Sequence, residues 1–433
     1  MKVMYHRAVL DLIKRQRGIP LSAETMQIYT SYLGWKYVAE TTKILILEEV
    51  YKRVLLGSKA ADVVADVLVS YDLLLDSTNG VVRLWTSWII AELASQSSTR
   101  GAVVAVKPCP RLVALLSDDH LRGFVDRLCF ALSQISRDSD GARAVIEARA
   151  LETVLSLLKS PEVGVRRWSS QILGELAVHP STREAVLAVQ PCAHLAALLG
   201  DRDLDDIEGA CFALSQISRD LDGARGVLEA GALDLLQQLL KSPEAGVKWT
   251  SEILFRLALH RSRRGAVVAA QPYPPLVALL SDDNVGVVQS ASDALSQISR
   301  ELDSASTIAE AGAPATVERS HLRQSQYKKI RGYACWTLGW VVSHPSTRQA
   351  VVAIQPCARL VALLGDTNLD VITGACFALS QISNDLDSAK TIVKAGALNF
   401  VPDLIQSPEA IVRKYMCLLL ARLAHHNRVP TLK

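Results

Sequence analysis

The chain has 433 residues, 49% hydrophobic and 21% charged, with Lys+Arg 47 against Asp+Glu 44 for a net charge of +3. So high a hydrophobic fraction at so low a net charge excludes a disordered chain, and the missing basic excess excludes a general affinity for nucleic acid or anionic membrane. No run of about 18 apolar residues occurs, so no spanning helix and no integral membrane contact are expected. The longest apolar stretch, 265–280, is interrupted by Gln271 and prolines.

In chain order, residues 1–79 read as about four helices, broken at Gly18-Ile19-Pro20, at Gly34 and at Gly57-Ser58. The first residues mix charges into their apolar positions and so lack the uninterrupted core of a secretory signal. Lys2 excludes N-myristoylation. Without a secretory signal the cysteines are expected to be reduced, in cytosol or nucleus. The run Lys14-Arg15-Gln16-Arg17 suits the negative end of the first helix; an import signal is the other reading.

From residue 80 a period near 41 governs the chain. The string Ala-Leu-Ser-Gln-Ile-Ser starts at 131, 213, 294 and 378. Between its copies lies a second, related string, WSSQILGELAVHPSTREAV at 168–186 and CWTLGWVVSHPSTRQAV at 335–351. One apolar position aligns both kinds: Leu93, Ile135, Leu176, Ile217, Leu257, Ile298, Val341, Ile382 and Leu423. Ten residues after the first eight of these anchors stands another aliphatic residue, from Val103 to Ile392. Apolar residues around each anchor have helical spacing, and no sustained two-residue alternation suggests a strand. Ser-Pro-Glu at 160–162, 242–244 and 407–409 signals a helix start, with Ser as N-cap, Pro at N1 and Glu in the first turn. Each unit is expected to be a short helix followed by two longer ones. The units alternate in two flavours, so the true period is a doublet of about 82 residues. The polar, basic segment 314–332 departs from the pattern and is expected to loop out or to delay its helix. Three helices in about 41 residues bury their apolar faces only by stacking on neighbours. Residues 1–79 then serve as an N-terminal helical cap and 80–433 as the repeat array. The C-terminal end carries no comparable cap. That leaves an exposed end, an end covered by a partner, or a chain cut short.

The segment ALSQISRDLDGARGVLEAGALDLLQQLL at 213–240 resembles the armadillo repeat. The resemblance covers about 80–433 and implies an all-α, right-handed α-solenoid of about nine tandem repeats. It also implies a non-catalytic scaffold that holds an extended protein or peptide segment in a concave groove lined by the third helices. In peptide-binding members an Asn just before the anchor holds the ligand backbone, and a Trp four residues earlier packs its side chains. Here the Asn position holds Glu92, Gln134, Gln216, Gln297, Trp340 and Gln381 among others, and the Trp position holds Trp88, Phe130, Phe212, Trp336 and Phe377. These residues are the candidate groove. No unit pairs Trp with Asn, which counts against a nuclear transport adaptor carrying cargo. That adaptor and a degenerate repeat protein without a ligand are the alternatives. A Gln amide still offers a donor and an acceptor to a peptide backbone. The plain alternative is that glutamines and phenylalanines are copies of one duplicated doublet.

Three residues after the anchors, acids alternate with histidines: Asp138, His179, Asp220, His260, Glu301, His344, Asp385 and His426. Neighbours are a full repeat apart, too far for one metal ion, so a structural role near helix ends is expected. The cysteines follow the repeat without any CxxC and read as small buried apolar residues. No P-loop, dinucleotide turn, nucleophile elbow or HExxH is present, so neither catalysis nor a cofactor is expected. The basic residues of 319–331, with Arg261, Arg263 and Arg264, form a possible contact for an acidic partner.

Overall fold

A computed structural model describes residues 2–16, 19–35, 37–67, 73–117, 123–241, 246–318 and 328–428. Among them every regular element is helical and no strand occurs. The chain divides into two compact units, Met1–Ile217 and Ser218–Lys433.

The first unit opens with α1 (Lys2–Arg15), α2 (Ala23–Gly34), α3 (Glu40–Leu56) and α4 (Ser58–Ala65). Its repeats follow as α5 (Gly80–Ser95), α6 (Ser97–Ala105), α7 (Cys109–Leu115), α8 (Val125–Ile135), α9 (Ser139–Glu147), α10 (Ala150–Leu157), α11 (Val163–Val178), α12 (Pro180–Ala188), α13 (Cys192–Leu198) and α14 (Leu204–Ile217). The anchor residues lie on the third helices of the repeats. These helices pack one on the next, α3 on α5, α5 on α8, α8 on α11 and α11 on α14. The second unit repeats the plan. It runs through α15 (Leu221–Glu229), α16 (Ala232–Leu239), α17 (Val247–Leu259), α18 (Arg261–Ala269), α19 (Tyr273–Ala278), α20 (Val285–Ile298), α21 (Leu302–Glu310) and α22 (Ala313–Thr316). It then continues with α23 (Lys328–Ser343), α24 (Arg348–Ala353), α25 (Cys357–Ala362), α26 (Leu369–Ile382), α27 (Leu386–Lys394), α28 (Val401–Ile405) and α29 (Ala410–Arg428). Here α17 packs on α20, α20 on α23, α23 on α26 and α26 on α29. The anchors Leu93, Ile135, Leu176, Ile217, Leu257, Ile298, Val341 and Ile382 are fully buried, so each layer interface is centred on them. Each unit is an all-α stack of helical repeats, the fold class that the period implies.

Two devices shape the turns, the first in every repeat and the second in alternate ones. The turn from first to second helix passes through one left-handed residue, fourteen after the anchor: Lys107, Arg149, Gln190, Gly231, Gln271, Gly312, Gln355 and Gly396. That residue explains the otherwise cryptic Glu-Ala-Gly and Gln-Pro strings. The turn from third to first helix is closed by side chains on the last carbonyls. Thr99, Thr182 and Thr347 donate to the carbonyls of Leu93, Leu176 and Val341. Arg100, Arg183 and Arg264 donate to those of Ala94, Ala177 and Ala258 at 2.7, 2.8 and 2.9 Å. The Ser-Thr-Arg string is thus a C-terminal cap for the preceding helix, satisfying carbonyls that have no partner within the helix.

Three local expectations change. The second helix, not the first, is the shortest: α7 and α13 have seven residues against nine in α6 and α12. Ser160 and Ser407 do not cap a helix. Their hydroxyls accept from Glu162 N and Glu409 N two residues on, which keeps Pro in the turn and starts α11 at Val163 and α29 at Ala410. The third such string, 242–244, lies outside the described residues. So does 319–327, but α23 begins at Lys328, as far before its anchor as α11 and α5 are before theirs, so this helix is not delayed.

Candidate functional site

In the first unit the candidate residues fall into separate clusters. Trp88 of α5 packs with Trp85 at 4.9 Å between ring centres and with Tyr51 of α3 at 5.5 Å. The Arg127 guanidinium sits 5.6 Å over the Trp88 ring. Glu92, one turn on, is half-buried, and burial raises its pKa against the opposing charge of Arg127. Phe130 packs on Trp168 at 4.7 Å. Phe212 occupies the space left by a glycine on the preceding repeat's third helix: a Cβ on Gly174 would stand 2.6 Å from its ring. Gln134 and Gln216 are each only 8% exposed. Gln134 reaches Ser133 Oγ at 3.4 Å and accepts from Arg137 at 3.3 Å, and Gln216 donates to Ser215 Oγ at 3.1 Å.

The second unit brings its candidates together. Trp336 and Trp340 of α23 lie 6.5 Å apart at an interplanar angle of 22°. Phe377 of α26 contacts both, at 5.1 and 4.7 Å, and meets Tyr415 of α29 at 5.1 Å. Arg300 sits 4.9 Å over Trp340 and donates to Gln297 Oε1 at 3.1 Å. Phe377 is only 3% exposed, and its ring takes the place a Cβ on Gly339 would need. Gln381 is half-buried, with Nε2 3.5 Å from Ser380 Oγ.

Sequence reasoning missed Arg300, Tyr415, Tyr51 and Arg127. A signal for the aromatics was present. Eight residues before the anchor, every second unit carries one: Trp85, Trp168, Trp249, Tyr333 and Tyr415. Of the alternating acids and histidines, three acids cap first helices, and His179 and His426 bond a carbonyl of the preceding layer, whereas Glu301 makes no cap bond and His344 Nε2 has no partner among the described residues. Asp138, Asp220 and Asp385 accept from the first N–H groups of α9, α15 and α27. His179 Nε2 lies 3.0 Å from the carbonyl oxygen of Ser136, and His426 Nε2 lies 2.9 Å from that of Ser383. Each such histidine ties its layer to the end of the preceding third helix. Among the described residues no group of three or more potential metal ligands occurs, and no helix is long and apolar enough to cross a membrane. Cys129 and Cys376 are buried, and burial pushes both thiols up to about 12, as expected of packing residues. Arg264 and Arg331 of the basic stretches are engaged with Glu301 at 2.9 Å and Asp366 at 2.6 Å.

No protein-family model matches the chain. Its fold is similar to the crystal structure of an engineered protein, a target of the Northeast Structural Genomics Consortium. That likeness has a TM-score of 0.83 at 22% identity, over 93% of this chain and 99% of that one. A designed armadillo repeat protein in complex with the peptide (KR)4 is also similar, with a TM-score of 0.48 at 24% identity, over 54% of this chain and 99% of that one.

Proposed function

We propose that the chain is a non-catalytic scaffold that binds an extended protein segment along its third helices, with residues 1–79 as the N-terminal cap of the array. The observation that carries this reading is the polar side chain at the same turn of the third helices: Glu92, Gln134, Glu175 and Gln216 in one unit, and Arg256, Gln297, Gln381 and Arg422 in the other, where Trp340 interrupts the series. A peptide backbone in extended form presents one donor and one acceptor per residue, and amides at regular spacing match it without regard to its side chains. The aromatic group of Trp336, Trp340 and Tyr415 would hold partner side chains. The buried thiols fit a reducing compartment, cytosol or nucleus.

A purely structural array is the second reading, because Phe212 and Phe377 are lodged against glycines and Gln134 and Gln216 are nearly covered. Capture from the native host's lysate, with Gln134, Gln216, Gln297 and Gln381 all changed to Ala, separates the two. Loss of a partner with the melting profile intact is expected; retention of every partner means the glutamines bind nothing.

A further inference from the structure

The N-terminal helices of the first unit enclose a cavity of about 710 Å³, a size typical of small-ligand sites. It is bounded by the loop before α2, the end of α3 and the start of α4. Ile19, Pro20 and Leu21 of the loop, with Leu56 and Ala60, give it apolar walls. Leu56 is 83% exposed and Ile19 49%, so aliphatic surface stands open there. Arg53 fixes the walls. Its guanidinium donates to the carbonyl of Gln16 at 2.7 Å, to that of Ile19, and to Glu49 at 2.7 Å. The last bond neutralises Glu49, so the remaining charge on the lining is positive and comes from Lys52 and Lys59. Lys52 is in an exposed pair with Glu48, which holds it only weakly, and Lys59 is exposed. Beside Lys59, α4 starts on Gly57, which offers no side chain to cap it, so the positive helix end adds to the two ammonium groups. No lining side chain carries a hydroxyl or an amide, and the Ile19 carbonyl is already taken. A peptide backbone would lose water there for few partners, whereas an alkyl chain needs none.

We infer that this cavity is a binding site for a free single-chain amphiphile with an anionic head, an alkyl carboxylate. The chain lies against Ile19, Leu21 and Leu56, and the carboxylate meets Lys52, Lys59 and the start of α4. The site belongs to the first helices of the chain and stands apart from the segment-binding reading of the repeats. Each methylene taken out of water tightens binding about fourfold until the chain fills the cavity. Chain length therefore reports on the apolar walls, and head charge on the lysines.

The full chain would be titrated in a calorimeter at pH 7 with hexanoate, octanoate and decanoate, each below its micelle concentration, and with octyltrimethylammonium as the cationic control. Saturable binding at one site per chain is expected, about fourfold tighter per added methylene, and none for the ammonium compound. Lys52→Glu together with Lys59→Glu should weaken decanoate binding about tenfold. Ala60→Trp, which fills the cavity, should abolish it, and so should Leu56→Asp, placed at an exposed position that leaves the packing untouched. Thermal melts show which variants fold. No saturable uptake of decanoate, equal uptake of the cation, or uptake unchanged in the folded cavity variants overturns the inference. Sedimentation of the chain with vesicles of phosphatidylcholine and phosphatidylserine, without uptake of free decanoate, also overturns it, because the surface would then be a membrane contact.

Discussion

Three third-helix pairs solve the same packing problem in two ways. In the first unit, Gly174 of α11 makes room for Phe212 of α14, and in return Gly209 of α14 approaches the backbone of α11, where a Cβ would stand 3.1 Å from the Arg167 carbonyl. The second unit repeats this lock between Gly339 of α23 and Phe377 of α26, with Gly374 in the reciprocal place. Between α17 and α20 the sizes are exchanged. Phe255 stands where the glycine should be, Asp293 where the phenylalanine should be, and Ser290 replaces the reciprocal glycine. Volume is roughly conserved by the exchange, but an ionisable group enters the interface. The doublet period is thus more than a trace of duplication. Within two doublets a glycine of one repeat receives the aromatic ring of the next, and between α17 and α20 a buried acid takes that ring's place.

The largest expected effect comes from emptying an intact lock. Phe377→Ala removes a buried ring whose neighbours, Trp336, Trp340 and Tyr415, belong to three successive third helices with it. Loss of transfer energy plus the residual cavity should cost about 3–5 kcal/mol, read as a lower urea midpoint. A cost below about 1 kcal/mol would mean the ring is not a packing element, and that the glycine beneath it serves something else.

The exchanged pair should reveal itself through pH. Burial, and then the charge of Glu252, push the folded carboxyl of Asp293 up to about 8, above the ordinary value of 3.8. Between these values this carboxyl binds more protons in the folded state than in the unfolded one, so the stability it contributes is fully present below about pH 4 and is lost as pH rises towards 8. Asp293→Asn removes this dependence. The variant should exceed the wild type most at pH 8 and above, and the difference should shrink steadily towards pH 4. Thermal melts of both proteins across that range test it. Parallel curves would show that Asp293 is ionised and solvated in the fold.

How far the sequence was readable follows the same division. The third helices were legible because their anchors are fully buried and aliphatic burial at helical spacing is the strongest signal a chain carries. The capping bonds were not, because a threonine six residues beyond Leu93, Leu176 or Val341 has no visible purpose until the turn folds it back onto a carbonyl. The candidate groove was read only in part. Position along the helix places Gln134 and Gln216 at the same turn of their third helices, but their exposure depends on the neighbouring helices and on the adjacent serines they bond. Phe212 looked like a platform for a ligand because the glycine that receives it lies a repeat earlier.

The smallest effect concerns the left-handed turn shared by both units. Gly231 has a φ of 69°, and a Cβ there would meet nothing within 4 Å. Any penalty for Gly231→Ala is therefore backbone strain alone, about 1 kcal/mol, partly offset by the lower entropy of the unfolded alanine chain. Arg149 occupies the same position of the preceding doublet with a φ of 58°, and already bears that strain. Arg149→Gly should gain a comparable amount, so the two substitutions made together should nearly cancel in a denaturant titration. A loss for both would show that the Arg149 side chain contributes packing that outweighs its backbone.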